Sequence, residues 1–261
     1  MLGAIAGDII GSPYEHFPIK HEDFPLFSSA SRFTDDTVMT IATAQALMGD
    51  GDYAGNYRRF FHLYPNAGYG KSFIQWAKSQ SREPYNSYGN GSAMRVGPIG
   101  FAFDTLEETL AEARRSAEVT HNHEEGIKGA QCIAAAQFLA RTGVDQSAIR
   151  KYVTAAFKYD LSMPYAQLQA GYSFDVTCQG TVPAALCAFL ESSDWEDAIR
   201  KAVALGGDSD TLASIVGAIA DAFYGGVPAT LTEETHRRLD AQLREVVAEF
   251  DSYRVNRALK T

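Results

Sequence analysis

The chain has 261 residues, of which 46% are hydrophobic, so it can bury a sizeable core and is not expected to be disordered. Its formal net charge of −9 argues against a broad basic face that would bind nucleic acid. The segment MLGAIAGDII has no basic residue and is interrupted by Asp8, which makes it a poor signal peptide, and no run of about 18 apolar residues predicts a membrane span. The three scattered cysteines form no CxxC pair, and we expect small buried thiols in a reducing, cytoplasmic compartment.

Helical periodicity dominates the chain and alternating strand patterns are nearly absent, which predicts an all-α fold. Helices are predicted near the N-terminus, after residue 37, over 105–118, 125–141, 145–158 and 194–205, after residue 211 and over 233–250. Several have candidate capping residues at their starts, namely Asp104 or Thr105, Asp145, Asp194 and Thr232. Segments 17–33, 85–92 and 160–178 are expected to be loops. The chain has no Pro- or Gly-rich linker and no repeat, so we expect one compact domain over residues 1–261.

The predicted N-terminal helix carries a glycine at every fourth position. Gly3, Gly7 and Gly11 lower its helix propensity, so a stripe of them on one face indicates that another backbone packs very close. Pro13 removes a backbone donor and should kink or end the helix.

Two clusters place a pair of carboxylates and a threonine directly before a helical apolar stripe. The first is Thr34-Asp35-Asp36-Thr37, and the second is GGDSDT, residues 206–211. A helix N-terminus favours carboxylates through its free N–H groups and partial positive charge, so capping is one interpretation of each cluster. Two such ends with two aspartates each exceed what capping needs. Since hard divalent cations take carboxylate, hydroxyl and water oxygens, a site for two cations between facing helix ends is the other interpretation.

Two further segments carry candidate site residues. In GDIIGSPYE, residues 7–15, Asp8 and Glu15 would share a face if the helix continued past Pro13. Glu15 could then complete a metal shell or act as a base; the alternative is a solvated surface residue. In GNGSAMR, residues 89–95, a Gly-rich loop exposes backbone N–H groups that suit a phosphate, although many such loops are plain turns.

Two other segments resemble motifs that they do not complete. PNAGYGKS, residues 65–72, ends like a P-loop, but Pro65 stands where that motif needs glycine and no strand pattern precedes it. THNHEE, residues 120–125, lacks the HExxH spacing of a zinc protease. His121 or His123 could contact a ligand, while for His123 a polar helix start is the favoured interpretation.

The motifs follow one order along the chain, namely GAIAGDIIGSPYE, FTDDT, GNGSAMR, a Thr-His pair before a helix, and GGDSDTLASIVGAIADA. Each motif alone is weak, but the ordered set resembles the ADP-ribosylglycohydrolase family over most of the chain. The resemblance implies an all-α orthogonal helical bundle with a binuclear Mg²⁺ or Mn²⁺ centre. It also implies release of ADP-ribose from an ADP-ribosylated protein or a small ADP-ribose conjugate.

The resemblance assigns roles to residues of this chain by motif. The implied ligands of one cation are Thr34, Asp35 and Asp36, and those of the other are Asp208, Asp210 and Thr211, with Asp210 placed to bridge. The implied contacts to the diphosphate and ribose are Asn90, Gly91, Ser92, Met94 and His121. Asp36 or Glu15 would act as the base that activates a water for attack on C1 of the distal ribose.

Three competing functions remain open at this point. A metal-dependent phosphohydrolase using the same aspartates would release AMP or phosphate. A non-catalytic ADP-ribose-binding module would bind the ligand without turnover, and a structural helical scaffold would bind no metal. The modified side chain, the choice between Mg²⁺ and Mn²⁺ and the oligomeric state do not follow from the sequence.

Overall fold

The computed structural model describes residues 1–258. The α-helices in chain order are α1 (Leu2–Gly11), α2 (Asp35–Met48), α3 (Tyr53–Leu63), α4 (Lys71–Lys78), α5 (Gly91–Met94), α6 (Ile99–Ala102), α7 (Leu106–Glu118), α8 (Glu124–Arg141), α9 (Gln146–Phe157), α10 (Tyr165–Gly171), α11 (Cys178–Leu190), α12 (Trp195–Ala204), α13 (Ser209–Phe223), α14 (Ala229–Arg238) and α15 (Ala241–Ala258). A 3₁₀ turn spans Ser12–Tyr14. Residues 1–258 contain no β-strand, so the predicted all-α fold is confirmed. None of the helices within these residues combines the length and apolar character needed to cross a membrane.

Several predicted helices begin at their predicted caps. The side chains of Thr105, Asp145 and Asp194 each accept a hydrogen bond from the backbone N–H three residues further on, at 2.9–3.2 Å. Each bond satisfies one of the free donors of the first helical turn. The three cysteines are buried free thiols, as expected. The expectation of one domain over residues 1–261 stays a prediction, and its last residues, 259–261, lie outside the described residues.

Two helix predictions near the C-terminus are wrong. The segment 233–250 is not one helix, because the backbone is extended at Leu239, with φ −90° and ψ 145°. The Asp240 side chain then accepts a hydrogen bond from the backbone N–H of Leu243 at 2.9 Å and starts α15. The predicted cap Thr232 lies inside α14, whose N-cap is Pro228. A buried leucine between the two helices sustains the apolar pattern across the break, which explains why the sequence pattern looks continuous.

Two segments expected to be loops contain helical turns. Within 160–178, α10 follows Pro164, whose ring restricts φ and whose extended conformation suits a position before a helix. At the end of 85–92, α5 begins after Asn90, whose carbonyl oxygen accepts from the N–H groups of Ala93 and Met94 at 2.9 and 3.0 Å. Helices α3, α4, α6 and α11 were also not predicted. Helix α11 is buried on almost all sides, so it lacks an amphipathic period. Short polar or Gly-rich helices have weak periodicity, and their packing partners are distant in sequence.

The centre of the fold is α13, which is buried from Ser209 to Ala220 and packs antiparallel against α1. A β-carbon on Gly3, Gly7 or Gly11 would overlap the carbonyl oxygen of Gly217, Ala213 or Ser209, respectively. The predicted close approach of another backbone is therefore confirmed. Because the two helices run in opposite directions, the end of α1 lies beside the start of α13, where the second acidic cluster stands.

We expect Gly7→Ala to lower the free energy of unfolding by about 3 kcal/mol, at the upper end of overpacking costs, because the obstructing atom is backbone. Chemical denaturation of both proteins measures the difference. The control is Gly171→Ala at the end of α10, where a β-carbon would meet nothing within 4 Å. Equal losses in the two variants would contradict the close packing of α1 on α13.

Candidate active site

The start of α2 is held by Asp8, a fully buried residue of α1. Its Oδ1 accepts a hydrogen bond from the Thr34 hydroxyl at 2.7 Å. Its Oδ2 accepts from the backbone N–H groups of Thr34 and Thr37, at 2.9 and 3.1 Å, and from the Thr37 hydroxyl at 2.5 Å. A carboxylate here also interacts favourably with the helix N-terminus. Asp8 therefore fixes the turn that carries Asp35 and Asp36, a role that the sequence does not predict.

Neither aspartate pair caps its helix through a side-chain hydrogen bond from the N-cap position. In α2 the side-chain cap is Thr34, whose hydroxyl oxygen accepts from the backbone N–H of Asp36 at 3.2 Å. In α13 the N-cap residue is Asp208, but its side chain makes no capping hydrogen bond. Capping therefore leaves the presence of two carboxylates at each helix start unexplained.

The starts of α2 and α13 meet in the fold. The Thr211 hydroxyl donates a hydrogen bond to Asp36 Oδ2 at 3.3 Å, joining the two acidic clusters directly. Carboxylate oxygens of Glu15, Asp208 and Asp210 all lie within 4.8 Å of one another, so the turn after α1 adds a further acid. Asp36, Asp208 and Asp210 are only 2%, 6% and 4% exposed. Carboxylates from three parts of the chain thus share one buried site.

The four aspartates of this site have no basic partner within the described chain, whereas Glu15 Oε2 lies 3.8 Å from His16 Nε2. The ion pairs formed among residues 1–258 leave out Asp35, Asp36, Asp208 and Asp210. Among the same residues, the buried Oδ1 of Asp36 has no hydrogen-bond partner. A buried carboxylate oxygen without a donor or counter-charge is costly. A set of carboxylate and hydroxyl oxygens fits a hard divalent cation, which would supply the missing positive charge.

Burial and mutual repulsion change the acidity of these groups. Burial, followed by the charge of Asp8, raises the pKa of Asp35 to about 8. Burial and the neighbouring carboxylates also raise the pKa of Asp36 and Asp210 well above the ordinary range. Burial and the charge of Asp208 raise the pKa of Glu15. Without a cation, the folded protein therefore retains protons that an unfolded chain would release.

This retention of protons predicts the pH dependence of the cation-free protein. In EDTA, the thermal midpoint should fall as the pH rises from about 4 towards 8, because the pKa of Asp35 is about 8 when folded and 3.8 unperturbed. Protonated carboxyls stabilise the fold fully below the pKa that they have in the unfolded chain. This stabilisation is lost as the pH rises towards and through the pKa that they have in the folded protein. Differential scanning calorimetry of wild type and Asp35→Asn measures it. The thermal midpoint of Asp35→Asn should fall less steeply with rising pH than that of wild type. Parallel dependences of the midpoint on pH would contradict the raised pKa of Asp35.

The connection leading into α13 is held from two sides. The Lys20 ammonium donates to the carbonyl oxygens of Gln169 and Tyr172, at 2.9 and 2.6 Å, and to that of Leu205. Gly206 has a φ of +66°, a left-handed conformation that glycine adopts without strain. These contacts fix the segment before Asp208. The Gly-Gly pair in the sequence is a signal for such a turn, whereas the lysine contacts carry no local signal.

The residues expected to contact the diphosphate and ribose lie beside the acidic site. The Asn90 side chain donates to Asp208 Oδ2 at 2.7 Å and to the Thr181 hydroxyl at 3.1 Å, so it also positions an acid. The Ser92 hydroxyl donates to the carbonyl oxygen of Gly126 at 2.7 Å and anchors α5 to α8. Met94 places its sulfur 4.0 Å from the Thr211 hydroxyl. The 89–95 segment therefore connects the predicted ligand side to the acids.

The two histidines of the Thr-His-Asn-His segment have different environments. His123 is the N-cap of α8, and its Nδ1 accepts from the backbone N–H of Glu125 at 3.1 Å, so the polar helix start is confirmed. His121 is 5% exposed and lies against Gly91 of the 89–95 segment. Of the two, His121 is the one placed to meet a ligand bound on that segment.

Residues 1–258 match the sequence model of the family described as ADP-ribosylglycohydrolase. The chain belongs to the ADP-ribosylglycohydrolase family. The resemblance found in the motifs is therefore confirmed, together with the expected enzyme class, since members of this family are hydrolases that act on ADP-ribose conjugates.

Relatives of the chain extend over most of its length. It is 27% identical to the ADP-ribosylarginine hydrolase Tri1 of Pseudomonas putida, over 90% of this chain and 72% of that protein. It is also 27% identical to the human ADP-ribosylhydrolase ARH3, over 86% of this chain and 84% of that protein. A solved structure described as an ADP-ribosylglycohydrolase-related protein complex superposes with a TM-score of 0.68 and 26% identity, over 91% of this chain and 94% of that one. The all-α bundle is thus the fold of the family.

Proposed function

We propose that this protein hydrolyses the glycosidic bond at C1 of the distal ribose and releases ADP-ribose from a modified protein side chain or a small conjugate. The observation that carries the proposal is the meeting of two helix starts, which brings Asp36, Asp208 and Asp210 together in a buried site where Asp36 Oδ1 has no partner among residues 1–258. Membership of the family supplies the ADP-ribose part of the substrate.

The side chains that would hold two divalent cations, Mg²⁺ or Mn²⁺, are Thr34, Asp35, Asp36, Asp208, Asp210 and Thr211. Their carboxylate and hydroxyl oxygens are the ligands that such ions take. When bound, paired cations orient a diol such as the ribose 2- and 3-hydroxyls and make a water more acidic. The Thr211–Asp36 hydrogen bond supports this set, because it joins the two halves at 3.3 Å.

Two carboxylates are placed to act as the base in this proposal. Glu15 is partly exposed and lies beside Asp208 and Asp210, so its carboxylate can reach both solvent and the site. Its pKa, raised by burial and by Asp208, lies closer to neutrality than that of an exposed glutamate, which suits proton transfer. Asp36 is buried and would take a proton from a water inside the site. The attack is on C1, with an oxocarbenium-like transition state.

The remaining predicted residues orient the substrate without entering the bond change. The residues proposed to orient the diphosphate and ribose are Gly91, Ser92, Met94 and His121, and the Asn90 side chain holds Asp208 beside this segment. Holding the diphosphate places C1 at the acids, and such positioning accelerates a reaction without chemistry of its own. A cytoplasmic location and the absence of nucleic-acid and membrane partners stay predictions from the sequence.

The linkage between ADP-ribose and its target is tested by a substrate panel. The relatives include an ADP-ribosylarginine hydrolase and ADP-ribosylhydrolases named ARH3 at the same 27% identity, so identity does not choose among linkages. We would incubate the protein with ADP-ribosyl-arginine, ADP-ribosyl-serine and O-acetyl-ADP-ribose, each with Mg²⁺, Mn²⁺ or EDTA, and separate the products by chromatography.

The proposal expects free ADP-ribose from at least one substrate, with a cation and not with EDTA. Release of AMP or phosphate would instead identify a phosphohydrolase. Binding of ADP-ribose without turnover of any substrate would identify a binding module. Turnover that is unchanged in EDTA would contradict the cation site.

A further inference from the structure

The segment that is proposed to meet the ligand, residues 89–95, ends in a buried arginine. Arg95 is 1% exposed, and its guanidinium lies 4.1 Å from the centre of the Tyr57 ring. Its Nη2 donates to the carbonyl oxygen of Ser116 at 3.0 Å and to the Thr120 hydroxyl at 2.7 Å. The ion pairs formed among residues 1–258 do not include Arg95. A fully buried arginine with only neutral partners is uncommon, which indicates a use for its charge.

The Thr120 hydroxyl connects Arg95 to His121. Its oxygen lies 2.8 Å from His121 Nδ1, and Thr120 is fully buried. Because a guanidinium only donates, the hydroxyl oxygen accepts from Arg95 and its single proton is free to be donated. The other hydrogen-bonding atom that this hydroxyl meets within the described chain is His121 Nδ1. The arrangement that satisfies every group therefore makes Nδ1 the acceptor and places the ring proton on Nε2.

The protonated Nε2 faces the segment that carries the predicted ligand contacts. Nε2 lies 3.1 Å from the point that a β-carbon on Gly91 would occupy and 3.7 Å from the equivalent point on Gly89. Among residues 1–258 it has no hydrogen-bond partner, whereas Nδ1 has Thr120. Glycine at position 91 keeps the space in front of Nε2 open. Burial and the charge of Arg95 hold the pKa of His121 well below its usual range, so the ring stays neutral.

We propose that Arg95 and Thr120 form a hydrogen-bond relay that holds His121 as the Nε2–H tautomer and aims this N–H at an anionic oxygen of the bound ligand. Because the Arg95 guanidinium carries a positive charge, the relay favours a phosphate oxygen over a neutral acceptor at Nε2–H. This preference assigns the contact to the diphosphate of the ligand. Arg95 and Thr120 are positioning residues that act through His121. The ligand part of this inference rests on the proposed function, whereas the tautomer does not.

Nitrogen-15 NMR of labelled histidine in the ligand-free protein tests the relay directly. The chain has six histidines, and the His121 signals are assigned by their absence from His121→Gln. Wild type should show an unprotonated Nδ1 and a protonated Nε2, unchanged between pH 5 and 8. Thr120→Val, which keeps the shape but has no hydroxyl, should mix the two tautomers, and Thr120→Ser should restore the wild-type pattern. A wild-type ring protonated on Nδ1, or an unchanged tautomer in Thr120→Val, would overturn the relay.

Calorimetric titration with ADP-ribose in the presence of Mn²⁺ tests the contact to the ligand. Thr120→Val should weaken binding about tenfold, the equivalent of one hydrogen bond to a charged group, and Thr120→Ser should bind as wild type does. The matched control is Thr109→Val, another buried threonine, whose hydroxyl donates to the Thr105 carbonyl of its own helix. It should bind normally. Equal affinities of Thr120→Val and wild type would overturn the ligand contact. If wild type does not bind ADP-ribose, the proposed function and this contact both fail, while the NMR result still decides the relay.

Discussion

Asp36→Asn and Asp210→Asn should each lower the rate of ADP-ribose release by more than about 100-fold. Replacing a residue that merely supports a metal ligand costs about 10- to 100-fold in affinity or activity, so loss of a proposed ligand should exceed that range. Both side chains are at most 4% exposed, and the Thr211 hydroxyl joins Asp36 to the start of α13. Steady-state kinetics on the substrate found in the panel, with Mn²⁺ titrated calorimetrically, measures both losses.

The same substitutions should stabilise the protein in the absence of cations. Burial and neighbouring carboxylates raise the pKa of both side chains, which shows that their charged forms are unfavourable in the cation-free fold. Asparagine keeps the shape and has no acidic proton for the unfolded chain to release, so the thermal midpoint in EDTA near neutral pH should rise by about 2–4 °C for each kcal/mol gained. Mn²⁺ should raise the midpoint of wild type more than that of either variant.

The directions of these changes in the thermal midpoint distinguish a cation site from helix capping. Asparagine caps a helix about as well as aspartate does, so aspartates that only capped would tolerate the change with little effect on stability, and Mn²⁺ would not affect either protein. Asp221→Asn is the control, since it lies on α13 away from the acidic end and its carboxylate accepts from the backbone N–H of Gly3 at 3.0 Å. It should retain Mn²⁺ affinity and activity. Full activity in Asp36→Asn and Asp210→Asn would refute the cation site.

The parts of the site that the sequence reveals are those encoded in short segments. Thr34-Asp35-Asp36-Thr37 and GGDSDT each carry their carboxylates within one helical turn, so the local pattern is enough to mark them as candidates. Helix starts such as Asp145 and Asp194 are predictable for the same reason, since each cap binds an N–H only three residues away. The glycine stripe of α1 is also local, and it predicted the backbone contact with α13 without identifying its partner.

The parts that the sequence does not reveal depend on contacts between distant residues. Asp8 binds Thr34 and Thr37 across 26 and 29 positions, and nothing in GDIIGSPYE distinguishes that role from a place beside Glu15. Arg95 meets Thr120 across 25 positions, so the motif Arg and the Thr-His pair look unrelated until the chain is folded. The break between α14 and α15 was missed because Leu239 is buried and continues the apolar pattern. Tertiary packing decides each of these features.

Asp8→Asn should have the opposite effect on stability from the metal-site substitutions. The Oδ2 of Asp8 accepts from two backbone N–H groups and a hydroxyl, and its Oδ1 accepts from the Thr34 hydroxyl. Asparagine has a single oxygen, so in either orientation its NH2 group faces one of these two sets of donors. Each buried donor left without an acceptor costs about 1–3 kcal/mol, so we expect a loss of at least about 2 kcal/mol in the free energy of unfolding. The start of α2 should shift, and Mn²⁺ affinity should fall by about 10- to 100-fold.

Thr37→Val is the matched comparison for Asp8→Asn. It removes one hydroxyl donor and leaves Asp8 with the Thr34 hydroxyl and both backbone N–H groups, so it should cost only about 1 kcal/mol and retain most of the Mn²⁺ affinity. Urea denaturation and calorimetric Mn²⁺ titration, both at a temperature where each variant is folded, measure the two quantities separately. An Asp8→Asn protein that is destabilised but binds Mn²⁺ as wild type does would show that Asp8 supports the fold without positioning the site. If Asp8→Asn loses both stability and Mn²⁺ affinity while Asp36→Asn gains stability in the absence of cations, two roles are distinguished. Asp8 then positions the carboxylates of the site, and the cation relieves the repulsion between those carboxylates.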